Sequence, residues 1–169
     1  MLAPYTLFLD RFNQFQQGHL GVMSLRHKDG RFIFQQLPFR SGLPGYGETD
    51  FERGRSPIPR LDKIKTGELF LHIDKINKNG FDNAIPQDKS KIGWFVPIGD
   101  DKNDAYTIEG YDGIRTAIGI HGDHNRPGTA GCPGFEIDEK YQEAEAEAFL
   151  RFVNRLAIEG YSLIPIKVV

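Results

Sequence analysis

The chain has 169 residues, 39% hydrophobic and 26% charged, which suits one globular domain spanning 1–169 with a proper core and argues against wholesale disorder. Its formal charge of −2, from 21 basic and 23 acidic residues, supplies no basic field for a nucleic acid. No run of eighteen apolar residues occurs, so no membrane-spanning helix is expected.

The opening residues are short of basic side chains, and Asp10 and Arg11 interrupt the brief apolar run, so a secretory signal is not expected here. Residues 5–11, 19–27, 31–40, 68–76, 92–98, 106–110 and 113–121 are rich in Val, Ile, Leu, Phe and Tyr and are expected to be strands. Between the second and third lies Lys28-Asp29-Gly30, where Asp-Gly accepts positive φ, the strongest hairpin signal in the chain. Phe32 and Phe34 alternate with Arg31, Ile33 and Gln35, as a half-covered sheet requires. Residues 39–66 are Gly- and Pro-rich and predict a long loop, and 75–91 a second exposed excursion. Asp138 is placed to cap a helix in which Tyr141, Ala144, Ala148, Phe149, Phe152, Val153 and Leu156 recur at three- and four-residue steps, with Gly160 closing it. Acidic residues crowd its start, and Arg151 and Arg155 its end, in the sense the helix dipole favours. A last strand is expected over 161–169. The pattern is mainly β, in the α+β sense, with one amphipathic helix on the sheet.

Chemistry concentrates in 113–135. A strand ends at His121, a Gly-bounded turn follows, and the single cysteine, Cys132, comes eleven residues later. A free thiol is only about 3% ionised at neutral pH, whereas a paired imidazole pulls its pKa down to roughly 3–7. Glycines 128, 131 and 134 allow backbone N–H groups to approach a reacting carbonyl, as an oxyanion hole requires. A lone cysteine is commonly a small core residue; these neighbours favour a nucleophile. A zinc reading draws on His121, His124 and Cys132, but His124 lies in the turn and no Cys pair or His-Glu motif accompanies it.

Ile120-His121-Gly122 with Thr129-Ala130-Gly131-Cys132 resembles the signature of the L,D-transpeptidase catalytic domain, a strand-end His-Gly followed by Ser/Thr-x-Gly-Cys. The upstream Arg55-Ser-Pro-Ile-Pro59 and Thr66-Gly67-Glu68-Leu69 resemble the family's Pro-rich turn and the stretch before a central strand. The resemblance implies an L,D-transpeptidase-like β-sandwich whose helix follows the nucleophile. It implies Cys132 as nucleophile, His121 as general base, the Gly122 carbonyl orienting the ring, and the Gly131 and Cys132 amides as oxyanion hole. The substrates would be peptidoglycan stem peptides, processed through a thioester without a cofactor, with an amine or water as acceptor. Three departures stand out: the His-to-Cys spacing is short, Ala130 replaces a frequent second His, and Pro133-Gly134 replaces an aliphatic residue and a substrate-binding Arg. Arg115, Arg126 and Thr129 are the substrate-binding candidates in their stead. Action at the cell wall without an own signal peptide implies delivery by another route, as for a phage lysis enzyme, a virion component or a secreted effector, or else a cytoplasmic protein. The competing class is a catalytically silent wall-binding or virion module, which has no reason to keep both His121 and Cys132.

Other polar residues have plain readings beside functional ones. Asp123 is a solvated loop carboxylate or a partner tuning His121; His72 is a packing or surface histidine on its strand. Arg53, Arg55 and Arg60 form a solvated rim or a substrate wall. Trp94 and the thirteen Phe are core candidates.

Overall fold

The computed structural model describes residues 1–15, 18–43, 56–77, 94–123, 131–136 and 140–169. The strands are β1 (Tyr5–Phe15), β2 (Gly18–His27), β3 (Phe32–Ser41), β4 (Phe70–His72), β5 (Phe95–Gly99), β6 (Thr107–Gly110), β7 (Gly113–Thr116), β8 (Gly119–Asp123), β9 (Gly134–Glu136) and β10 (Leu163–Val168). One helix, α1 (Lys140–Ile158), precedes β10.

The β2–β3 hairpin turns where Asp-Gly predicts it. Gly30 takes φ +101°, His27 N–H donates to the Arg31 carbonyl at 2.8 Å, and an Asp29 carboxylate oxygen accepts the Arg31 N–H at 3.0 Å. Two expected strands differ. The 113–121 segment breaks at Ala117, whose φ of +56° turns the chain away while its N–H donates to the Tyr106 carbonyl at 3.1 Å. The first half, β7, pairs only with β6, and the second, β8, joins the main sheet. The 68–76 segment is strand only at β4, then winds into a 3₁₀ turn over Ile73–Lys75 whose first N–H donates to the Ser162 carbonyl. β-propensity describes side chains, and it misses a break set by where the next element lies.

The two-sheet sandwich implied by the resemblance is corrected to a barrel. Eight strands close in the order β1-β10-β4-β5-β8-β9-β3-β2 and back to β1. Closure depends on short pieces. The three residues of β9 pair parallel with β8 and antiparallel with β3, through Phe39↔Phe135 and Arg40↔Gly134. β10 likewise bridges β4 to β1. These ladders satisfy backbone groups that would be the open edges of a sandwich. An eight-strand barrel is just wide enough for side chains to fill. Here Leu7, Leu9, Met23, Leu25, Leu71, Val96, Ile98, Ile120 and Ile164 are fully buried, with the i, i+2 spacing of inward-facing positions on several strands.

Helix α1 buries Ala146, Phe149, Leu150, Val153 and Leu156 against β3, β9 and the Ile73–Lys75 turn. Phe149 packs against Phe34 and Phe135, ring centroids 5.7 and 5.4 Å away, and Trp94 lies tilted against Phe135 at 5.8 Å. Such edge-to-face and tilted pairs add about 0.5–1.5 kcal/mol each beyond burial. The helix ends at Gly160, φ +98°, with Tyr161 N–H on the Leu156 carbonyl and Gly160 N–H on the Ala157 carbonyl, the paired bonds of a Schellman cap. The proposed cap Asp138 lies outside the described residues. Among those described, no helix is long and apolar enough to cross a membrane.

Candidate active site

β8 delivers His121 to the barrel seam, between Phe95 of β5 and Gly134 of β9. Directly paired residues share a face, and the Phe95 ring lies nearly parallel to the imidazole, 16° between planes and 6.2 Å between centroids. Gly119 permits this placement: an ideal Cβ there would stand 2.4 Å from the Phe95 ring and 2.6 Å from the Val96 carbonyl. His121 Nδ1 lies 2.7 Å from the Gly122 carbonyl oxygen. A carbonyl only accepts, so this contact assigns the proton to Nδ1 and leaves Nε2 of the neutral ring as an acceptor.

Cys132 stands two residues before the Gly134 rung, in the bend that leads into β9. His121 N–H donates to the carbonyl of Pro133, the residue between, at 3.4 Å. The nucleophile candidate and the base candidate therefore ride on adjacent, hydrogen-bonded segments. Cys132 is buried, and its Sγ–H donates to the Ala117 carbonyl at 3.7 Å. The left-handed residue that breaks 113–121 in two thus also faces the sulfur.

Gly131 is fixed from two sides. Ser41 Oγ donates to its carbonyl at 2.9 Å while accepting the Ile58 N–H at 2.8 Å. An ideal Cβ at Gly131 would fall 1.7 Å from Arg115 Nη2, and its φ of +97° is a conformation side chains rarely adopt. Arg115, on β7, is only 2% exposed. Its Nη2 donates to the Ser56 carbonyl at 2.6 Å, and its Nη1 to the Pro57 carbonyl at 2.8 Å and the Ser56 hydroxyl at 3.3 Å. Burial pulls its pKa down to about 10, opposed by the negative charge Cys132 carries when ionised, so it remains a cation at neutral pH. The guanidinium expected to bind a substrate carboxylate is committed to backbone carbonyls beneath the Cys132 loop. Residues 56–59, expected to be loop, are buried, and Arg115 ties down their start.

The remaining candidates divide. Arg126, Thr129 and His124 lie outside the described residues, as do Arg53 and Arg55. Arg60 is exposed beside Asp62, 3.8 Å away. His72 is buried on β4, separated from β8 by β5, and burial lowers its pKa. Trp94 is buried beneath the β9 strand that follows Cys132. Among the described residues, no three His, Cys, Asp or Glu side chains cluster as metal ligands would. Ser41, Ser56 and Phe95 were not singled out from the sequence. Ser56 sits in the Pro-rich motif quoted above; Ser41 and Phe95 carry no local signal, because their partners are 90 and 26 positions away. Comparison with family models, with curated proteins and with solved structures yields no match, so the likeness to L,D-transpeptidases rests on the residues named above.

Proposed function

We propose that this chain is a cysteine-dependent acyltransferase or hydrolase of peptidoglycan stem peptides, with Cys132 as nucleophile and His121 as base. The observation that carries the reading is the His121 ring held through Nδ1 by the Gly122 carbonyl, its Nε2 left as an acceptor, on a strand paired to the Cys132 segment. His121 Nε2 takes the thiol proton as sulfur attacks a peptide carbonyl carbon. The tetrahedral oxyanion collapses, the C–N bond breaks, and the departing amine leaves with the proton from His121. The product is a thioester on Cys132. Water or an acceptor amine, deprotonated by His121, then attacks the thioester, and the thiol is regenerated. The Gly131 and Cys132 amides supply the oxyanion donors in this reading, and donors of this kind are typically worth about 10²–10³ in rate each. Arg126 and Thr129 remain the substrate-binding candidates, and the substrate class places the action at the cell wall.

Mass spectrometry of purified muropeptides incubated with the protein tests this directly. Cleaved or cross-linked peptides should form with wild type, survive EDTA, and disappear with Cys132→Ser or after thiol alkylation. Turnover retained by folded Cys132→Ser, or one stoichiometric zinc per chain with activity lost to EDTA, would overturn it.

A further inference from the structure

Arg115 presents a puzzle of energetics. Burying a guanidinium is costly, and a brace for the Ser56–Pro57 carbonyls needs only neutral N–H donors, as an amide side chain would supply. The cation nonetheless sits at 2% exposure, directly against the Cα of Gly131, the residue before Cys132. It is held between the Ser56 and Pro57 carbonyls on one side and, on the other, the glycine, which avoids a clash only because it has no Cβ.

We propose that Arg115 is a positioning residue whose buried positive charge, held by the Ser56 and Pro57 carbonyls against Gly131, eases loss of the Cys132 thiol proton and keeps the Gly131–Cys132 segment in place. The inference rests on the reading of Cys132 as nucleophile and adds a second source of thiolate stabilisation beside His121. Electrostatic coupling is reciprocal: the Cys132 charge favours the protonated guanidinium against desolvation, so the guanidinium favours the thiolate to the same extent. In a site this buried, salt screens the pair little. Arg115 stands on β7 and His121 on β8, so the fixed cation and the base belong to different elements.

The test is the pH profile of Cys132 alkylation by iodoacetamide, read with near-UV circular dichroism to establish folding. Arg115→Met should raise the thiol pKa, cutting the rate at pH 6 about tenfold for each pH unit by which the titration midpoint rises, and Arg115→Lys should restore most of it. A brace alone predicts equal effects of Met and Lys, or a folded Arg115→Met whose profile matches wild type; either overturns the proposal. Should Arg115→Met fail to fold, His121→Ala decides. With the imidazole gone, the thiol should still titrate below the free-cysteine value of about 8.5, and titration at or above it overturns the role of Arg115. The dyad fails separately, if His121→Ala leaves the wild-type profile unchanged, an outcome that leaves Arg115 as the principal source of thiolate stabilisation.

Discussion

Gly131→Ala isolates the packing on which the site depends, because the chain contains its own control. Gly131 and Gly160 have nearly the same backbone, φ +97° and +98°, yet an added Cβ meets nothing within 4 Å at Gly160. At Gly131 it meets Arg115 Nη2 at 1.7 Å, Arg115 Cζ at 2.8 Å and the Ser56 carbonyl oxygen at 3.0 Å. Gly160→Ala should therefore cost only the left-handed backbone term, about 1–2 kcal/mol. Gly131→Ala carries the same term and must also push the guanidinium off its acceptors. Losing one charge-assisted bond to the Ser56 carbonyl adds about 1.5–3 kcal/mol, for a total of about 2.5–5 kcal/mol. Against the 5–15 kcal/mol typical of a domain that is a large fraction. Urea unfolding of the two variants should show it: with a slope of about 2 kcal/mol per M, the Gly131→Ala midpoint falls by about 2 M and that of Gly160→Ala by under 1 M. Equal losses within about 0.5 kcal/mol would refute the close packing of Arg115 on Gly131.

Two further expectations concern the scaffold. Phe149→Ala should cost about 3–5 kcal/mol in urea unfolding, since the ring is fully buried against Phe34 and Phe135; a loss under 1 kcal/mol would mean that α1 is not packed through this residue. His72 gives a pH dependence. Burial lowers its folded pKa, so the unfolded chain binds the proton more readily, and stability present above about 6.5 is lost as pH falls through the folded value. Urea midpoints at pH 8 and pH 5 should fall further apart in wild type than in His72→Gln, and an equal fall in both excludes His72 as the cause.

Local chemistry made several elements readable. Asp29-Gly30 specified the β2–β3 hairpin because its turn is satisfied within five residues, by Asp29, His27 and Arg31. The helix was legible from the spacing of Phe149, Val153 and Leu156 and from Gly160, since one face and one cap decide it. Strands of the barrel showed in their β-branched and aromatic runs. His121-Gly122 and Gly131-Cys132 drew notice as residue types whose chemistry needs little context to suggest itself.

What only the tertiary structure decided depends on partners distant in sequence. Closure into a barrel rests on three-residue β9 reaching both β8 and β3, a ladder too short to leave a pattern in the chain. The break at Ala117 follows from Tyr106 offering a carbonyl there, and nothing in Thr116-Ala117-Ile118 announces it. From the sequence Arg115 is a substrate-binding candidate; its acceptors, Ser56 and Pro57, lie nearly sixty residues earlier and leave no local signal. The sequence alone determined which groups were available for thiol chemistry and which segments were strand or helix, since side-chain type and local periodicity are properties of neighbours. Where the charge sits relative to Cys132, and which ring steadies His121, were decided by packing, because electrostatics and sterics act through space between residues the chain keeps far apart.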